Sequence, residues 1–354
     1  MRPLNILITA AGSPSAPGLI RSLKNNGERE VFVVGTDMKT DPTILQMTDK
    51  CRLVPASDAP GYVDALLAIC KEEKINVLIP GVSAELLPLS LRKADFEAIG
   101  TKVSVSNPFS IEVCDSKYRL YDYMRGQGMQ TPDFYPVRCV ADLKEAAEKL
   151  GWPSRPFCVK ATRSSGSRGV RIIDPSKSRF DILFGEKPNS FYISLEELLT
   201  ILSEKEEMPE MMAMEYLPGM EYSVDVLADN GKILYMAGRE SHVVQASIPM
   251  MAKVKKNEAA FAIAEKMVAS LKLDGNVDFD FKMDTEGRPV LMEINARLAA
   301  TLAVFTAAGL NLLYLRVKQL LGEPLPACTA REGVVMKRRY LEQFADEDGN
   351  PLQI

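Results

Sequence analysis

Histidine is almost missing from this sequence: His242 stands alone among 354 residues. Ser-His or Cys-His nucleophilic catalysis, and zinc sites built on imidazole, therefore have little to draw on. Cysteine is sparse as well. Cys51, Cys70, Cys114, Cys139, Cys158 and Cys328 are scattered without a Cys-x-x-Cys pair. Most lie in apolar runs and read as small core residues in a reducing compartment. No segment approaches the roughly 20 consecutive apolar residues of a membrane span. The first residues, Met1 to Thr9, lack a long apolar h-region and lead straight into a strand. A basic field is lacking too, since the formal net charge is -4, which removes the electrostatic case for nucleic acid. Internal repeats and low-complexity segments are absent. The expectation is a cytoplasmic protein with neither nucleic acid nor membrane as partner.

What is present is an ordinary globular composition, 46% apolar and 25% charged, in a chain long enough for two or three domains. Up to about residue 110, short apolar runs alternate with helical patterns. Ile6-Leu7-Ile8, Val31 to Gly35 and Val77-Leu78-Ile79 are the runs, and Val63, Leu66, Leu67 and Cys70 mark one helical face. This predicts a parallel sheet with helices on both faces. Beyond Asp115 the pattern changes. Helices are expected over Tyr118 to Met124, Asp142 to Leu150, from Ser194, over Ala259 to Leu271, and around Leu302 to Ala308 and Leu312 to Leu321. Met211 to Glu215, Tyr222 to Ala228 and Lys232 to Met236 read as antiparallel strands, with Asp229-Asn230-Gly231 as a turn.

Three stretches carry chemistry. Val277 to Lys282 and Leu291 to Arg297 both alternate apolar and polar residues around the polar connection Asp284 to Arg288, as a hairpin of half-buried strands does. Alternation puts Glu293, Asn295 and Arg297 on one face, with Asp280 facing the same way on the neighbouring strand. Asp278 shares the phase of Asp280. Hard oxygen ligands of this kind suit Mg²⁺, which takes one or two carboxylates and leaves the rest to water and phosphate oxygens. The second stretch is the loop Lys160 to Gly169. A lysine at a strand end followed by serines and glycines offers a point charge and backbone N–H donors to phosphates, without the Gly-Lys-Ser/Thr ending of a Walker loop. The third is Met214 to Asp225, where Leu217-Pro218-Gly219 breaks an extended segment and frees backbone groups that can read an adenine edge. Arg239, just after a strand, is a candidate anion contact. His242 and Gln245 follow it, and Lys337-Arg338-Arg339 reads as a solvated charge run.

Taken in order, Lys117, Lys160 with its Gly/Ser loop, Glu215, Glu221, Asp280 and Glu293-x-Asn295-x-Arg297 resemble the ATP-grasp superfamily, in its carbamoyl-phosphate-synthase-like branch of carboxylate–amine ligases. The resemblance implies an α/β and α+β fold. A Rossmann-like pre-ATP-grasp parallel sheet over residues 1–112 would precede an ATP-grasp domain over 113–325, whose two α+β subdomains clasp ATP. The lid subdomain would cover about 150–215 and the catalytic subdomain about 216–325, with a C-terminal strand and tail over 326–354. It implies ATP and Mg²⁺, or Mn²⁺, as cofactors. Lys117 and Lys160 would contact phosphates or adenine, and Ser165, Gly166, Ser167 and Gly169 would cover the phosphates. Glu215 with Tyr216 and Leu217 would hold adenine, and Glu221 ribose. Asp280, Glu293 and Asn295 would organise the metal; only the family pattern selects Asp280 over Asp278. Arg297, Lys160 and Arg239 would serve the transferred phosphoryl group.

The implied reaction activates a small-molecule carboxylate as an acyl phosphate for attack by an amine, with a homodimer allowed. The chain has no second ATP-grasp unit and no recognisable glutaminase segment, so carbamoyl phosphate synthesis itself is not expected. Two other readings stay open: a nucleotide-binding regulatory protein that keeps the fold, and an NAD-dependent oxidoreductase. For the latter, the Gly12 to Gly18 loop and Asp37 only superficially match a dinucleotide fingerprint, because the spacing is Gly-x5-Gly. That loop, Asp37 and Gly81 to Glu85 are expected instead to line an acceptor pocket at the carboxyl ends of the strands.

Overall fold

The computed structural model describes residues 2–39, 44, 47–163, 166–187, 190–245, 248–339, 342, 344–346 and 351–352. Its first sheet is parallel: β1 (Leu4–Thr9), β2 (Val31–Asp37), β3 (Lys50–Leu53), β4 (Val77–Ile79) and β5 (Lys102–Val103), in the order β3-β2-β1-β4-β5. The reversal of order at β1 leaves the carboxyl ends of β1 and β4 side by side, where open α/β sheets bind ligands. Strands as buried as β1, with Ile6-Leu7-Ile8 at its centre, and β4 belong in a sheet covered on both faces. Pro17 sits in the first turn of the helix Ala16–Lys24, where its missing N–H costs nothing.

The chain divides into two compact units. One comprises Met1–Cys114, Met220–Phe281 and Leu291–Ile354; the other comprises Asp115–Gly219 and Lys282–Val290. The second unit holds a four-stranded antiparallel sheet of β6 (Phe134–Val137), β7 (Phe157–Ala161), β8 (Arg171–Ile173) and β9 (Met211–Glu215), ordered β6-β9-β7-β8. Its core joins Phe157, Val159, Met211 and Ala213 to Leu143, Ala146 and Ala147 of the helix Val140–Lys149. Ser194 caps the helix Leu195–Leu202 by accepting from the Glu197 amide at 3.2 Å.

The remaining large sheet is β10 (Glu221–Asp229), β11 (Lys232–Gln245), β12 (Ile248–Val254), β13 (Gly275–Met283), β14 (Pro289–Asn295) and β15 (Val335–Lys337), ordered β14-β13-β10-β11-β12-β15. The β10–β11 turn has both Asn230 and Gly231 at positive φ, as a tight hairpin demands. Three expectations are revised. The strand Met211–Glu215 is antiparallel as read, but it belongs to the other sheet, paired with β6 and β7 rather than β10. The break between them is enforced at Gly219, where an added Cβ would lie 2.2 Å from the Met283 carbonyl oxygen. β11 also runs past Met236 to pair with β12. Among the cysteines, Cys70, Cys114 and Cys158 are buried, whereas Cys139 is exposed and caps the helix Val140–Lys149. The first unit's core packs Ile6, Ile8, Leu19 and Ile20 against Leu302, Phe305 and Leu313. No helix among the described residues is long and apolar enough to cross a membrane.

Candidate active site

Period-two alternation turns Phe279 and Phe281 of β13 and Met292 and Ile294 of β14 into the core. Their neighbours Asp278, Asp280, Glu293 and Asn295 therefore share the opposite face. β10 lies beside β13 and adds Ser223 and Asp225 in the same phase. β11 adds Arg239, the register partner of Ser223. Four adjacent strands thus build one polar wall. Arg239 donates through Nε to Asp225 Oδ2 at 3.0 Å and through Nη2 to Asp278 Oδ1 at 2.9 Å. Asn295 Nδ2 donates to Asp280 Oδ2 at 3.1 Å and reaches Asp278 Oδ2 at 3.5 Å. Ser223 Oγ donates to Asp280 Oδ1 at 2.7 Å, and Arg297 Nη2 to Asn295 Oδ1 at 3.2 Å.

The wall is charge-rich in a poorly hydrated place. Burial pushes all three aspartates above the usual carboxylate range, before any neighbour acts. For Asp278 the charge of Asp225 adds to this, and for Asp280 the charges of Asp278 and Glu293. Burial disfavours the Arg239 cation, yet Asp225 and Asp278 outweigh it and hold the guanidinium firmly protonated. Four acids (Asp225, Asp278, Asp280, Glu293) face two guanidiniums (Arg239, Arg297). With all four acids ionised the wall carries an excess of two negative charges, and this, with the buried Asp225 Oδ1 left without a donor, fits a divalent cation. No three His, Cys, Asp or Glu side chains stand in metal-ligating geometry among the described residues. The outward oxygen donors are instead two carboxylates and an amide, a set that suits Mg²⁺ completed by phosphate and water. Ser223 and Asp225 received no role from the sequence, although Ser223-x-Asp225 has the same alternating signal as Glu293-x-Asn295.

In the second unit, Lys160 is the penultimate residue of β7 and is half-buried. Lys117 opens the helix Lys117–Gly126, and its amide donates to the Thr162 carbonyl at 2.9 Å, which ties that helix to the exit of β7. Gly166, Ser167 and Gly169 follow in left-handed conformations; Ser165 lies outside the described residues. Backbone turns of this kind occur in anion-binding loops generally. Glu215 ends β9 and is exposed, Tyr216 is half-buried and Leu217 is buried. Glu221 begins β10 in the first unit and is exposed. His242 is exposed, 3.4 Å from Glu240; the Gln245 side chain is outside the described set. Arg338 departs from a solvated charge run: it is half-buried and donates to the Pro14 and Ala300 carbonyls at 2.9 and 3.1 Å.

At the carboxyl end of β2, Asp37 Oδ2 accepts from the Gly12 amide at 3.0 Å, so this acid holds the loop that follows β1 instead of presenting itself to a ribose. Glu85 is fully buried. It accepts from Thr9 Oγ1 (2.6 Å), the Gly81 and Val82 amides (2.8 and 2.9 Å) and the Tyr62 hydroxyl.

Comparison with known proteins agrees with this geometry. Residues 207–342 match the family described as "ATP-grasp in the biosynthetic pathway with Ter operon", and residues 6–104 match "PylC-like, N-terminal domain". The chain thus carries an ATP-grasp domain behind a PylC-like N-terminal domain. The chain is 22% identical over 307 residues to the carbamoyl phosphate synthase large chain of Pseudothermotoga lettingae, covering 84% of itself and 25% of that protein. It therefore spans about a quarter of that relative's length. Among solved structures, it resembles carboxyaminoimidazole ribonucleotide synthase from Aspergillus clavatus complexed with ATP (TM-score 0.68, 18% identity, 94% of this chain and 81% of that one). It also resembles the biotin carboxylase domain dimer of Hydrogenobacter thermophilus 2-oxoglutarate carboxylase, in complex with MgADP, ADP and bicarbonate (TM-score 0.67, 16% identity, 94% and 73%). The mixed architecture, a parallel N-terminal sheet followed by antiparallel sheets, is the one these neighbours share.

Proposed function

We propose that this protein is an ATP- and Mg²⁺-dependent ligase that converts a small-molecule carboxylate into an acyl phosphate for attack by an amine. The carrying observation is the polar wall of β14, β13, β10 and β11, which holds four acids against two guanidiniums and presents Asp280, Glu293 and Asn295 as oxygen donors. Asp280 is preferred to Asp278 as metal ligand because it is the more exposed of the two. A bound Mg²⁺ would neutralise charge on the nucleotide phosphates; Mn²⁺ offers the same ligand preferences. Lys117, Lys160 and the loop with Ser165, Gly166, Ser167 and Gly169 are assigned to phosphates, Glu215, Tyr216 and Leu217 to adenine, and Glu221 to ribose.

The carboxylate oxygen attacks the γ-phosphorus and the bond to the β-phosphate oxygen breaks, releasing ADP. The amine nitrogen then attacks the acyl carbon, loses a proton and expels inorganic phosphate. Lys160 and Arg297 hold and neutralise the transferred group, so positioning and electrostatics dominate over proton transfer. A chain with one exposed histidine is suited to that division of labour. The acceptor is assigned to the carboxyl ends of β1, β2 and β4, beside the Gly12 loop, Asp37 and the segment from Gly81, whose Glu85 is buried and holds the Gly81 and Val82 amides instead of lining the pocket. In this reading residues 1–112 form the pre-ATP-grasp domain, 113–325 the ATP-grasp domain with its lid at about 150–215, and 326–354 a tail. A cytoplasmic enzyme working as a homodimer accords with it, since one structural neighbour is described as a dimer.

The test is phosphate release from ATP across a matrix of carboxylates crossed with amines and amino acids. Release that depends on one carboxylate and one amine supports the ligase. Nucleotide binding with no substrate-dependent release would favour a regulatory protein.

A further inference from the structure

The polar wall has two layers. Asp280, Glu293, Asn295 and Arg297 are half-buried and outward. Beneath them the side chains of Asp225, Arg239 and Asp278 are only 1%, 3% and 7% exposed. A guanidinium is a planar fork whose donors keep a fixed angle, so two carboxylates gripped by one fork cannot turn independently. Arg239 grips Asp225 at 3.0 Å and Asp278 at 2.9 Å. Asp278 uses its other oxygen to receive Asn295 Nδ2, at 3.5 Å, and the same nitrogen donates to Asp280 at 3.1 Å. With its nitrogen drawn inward by two acids, Asn295 directs Oδ1 outward, where Arg297 also points, at 3.2 Å. Three buried charges of net -1 are poor evidence for stability, because an apolar trio of similar volume commonly serves a core as well. Geometry is the property such a trio would not supply.

We propose that Arg239 is a positioning residue: with Asp225 and Asp278 it forms a rigid inner bracket that presets Asn295 and Asp280 to receive a divalent cation. Arg239 then touches neither nucleotide nor metal, and acts through Asp278 and Asn295. The proposal rests on the ligase reading of the outer layer and replaces phosphate contact as the role of this arginine. It is the arrangement by which a supporting shell orients ligands in metal sites generally.

Mn²⁺ is the probe, titrated into the full chain with a non-hydrolysable ATP analogue and followed by the electron paramagnetic resonance signal of the free ion. Arg239→Lys keeps the charge but loses the fork. Expected is roughly ten- to a hundredfold weaker Mn²⁺ binding, with affinity for the metal-free analogue unchanged. A purely structural role would lower the melting temperature and leave the Mn²⁺ affinity of the folded protein as it was. Should Arg239→Lys fail to fold, the triple exchange Asp225→Asn, Arg239→Met and Asp278→Asn removes the bracket without stranding a buried charge, and the same loss is expected. Mn²⁺ affinity equal to that of the native protein in either folded variant overturns the proposal. So does failure of both to fold, which would make the bracket a requirement of the core. If the native protein itself takes up no Mn²⁺ with the nucleotide, the ligase reading falls, a result distinct from the other two.

Discussion

Asp280 carries two opposing demands: its carboxylate must be ionised to hold a cation, yet burial and the charges of Asp278 and Glu293 resist ionisation. The sign of the pH dependence follows. Its ordinary value is 3.8, and in the folded protein it is pushed up to about 8, with Asp225 at about 6 and Asp278 at about 7. A raised acid contributes stability that is complete below the unfolded value and is lost as pH climbs through the folded one. In chelator, thermal melts of the metal-free protein should fall from about pH 4 to about pH 8, and Asp280→Asn should flatten the decline. An unmodified protein with no such slope would refute the buried-acid account. Removing charge at the outer layer has a different effect. Glu293→Gln should abolish Mg²⁺-dependent turnover while the melting temperature stays near that of the native protein; near-normal turnover would remove Glu293 from the metal. Lys160→Ala should weaken ATP binding or phosphoryl transfer, read from initial rates against ATP concentration.

Strands explain which of these residues the sequence makes readable. Glu293 and Asn295 are legible because alternation within one strand is a local signal, and the same holds for Phe279 and Phe281. Asp225 shows the identical alternation, but its role depends on β10 lying beside β13, a pairing across about fifty residues that no local pattern encodes. The strand Ile248–Val254 is hidden for a related reason. Pro249 and the adjacent Met250-Met251 blur its periodicity, and its pairing with β11 and β15 makes it a strand. Element-scale packing also yields a prediction next to the bracket. A Cβ at Gly238 of β11 would lie 1.8 Å from the Tyr222 hydroxyl, whose oxygen donates to the Lys255 carbonyl at 2.8 Å. Gly238→Ala should cost about 1–3 kcal/mol by overpacking, measured by denaturant unfolding. Combined with Tyr222→Phe the loss should be less than additive, since the second change removes the atom that clashes most.

For the molecule as a whole, the relevant quantity is which ligand stabilises it. A ligand at about 100 times its dissociation constant raises unfolding free energy by about 2.7 kcal/mol. ATP with Mg²⁺ should therefore raise the melting temperature clearly, and NAD should leave it in place. A shift with NAD alone would revive the oxidoreductase reading. The change of texture near Asp115 coincides with the first boundary between the two units, but the chain's return to the first unit at Met220 and the place of Lys282–Val290 in the second, where the Gly219 amide donates to Met283 at 3.1 Å, have no local signal. The alternation along β13 has a final consequence, for insertions and deletions. Asp278 and Asp280 share a face only because one residue separates them. Gaining or losing a single residue between Val277 and Phe281 would shift the phase of the strand, turning an acid into the core and a phenylalanine towards solvent. The connection at Asp284 to Arg288 bears no such constraint and can change length freely. Among homologues, gaps should therefore collect in that turn and leave the strand at constant length.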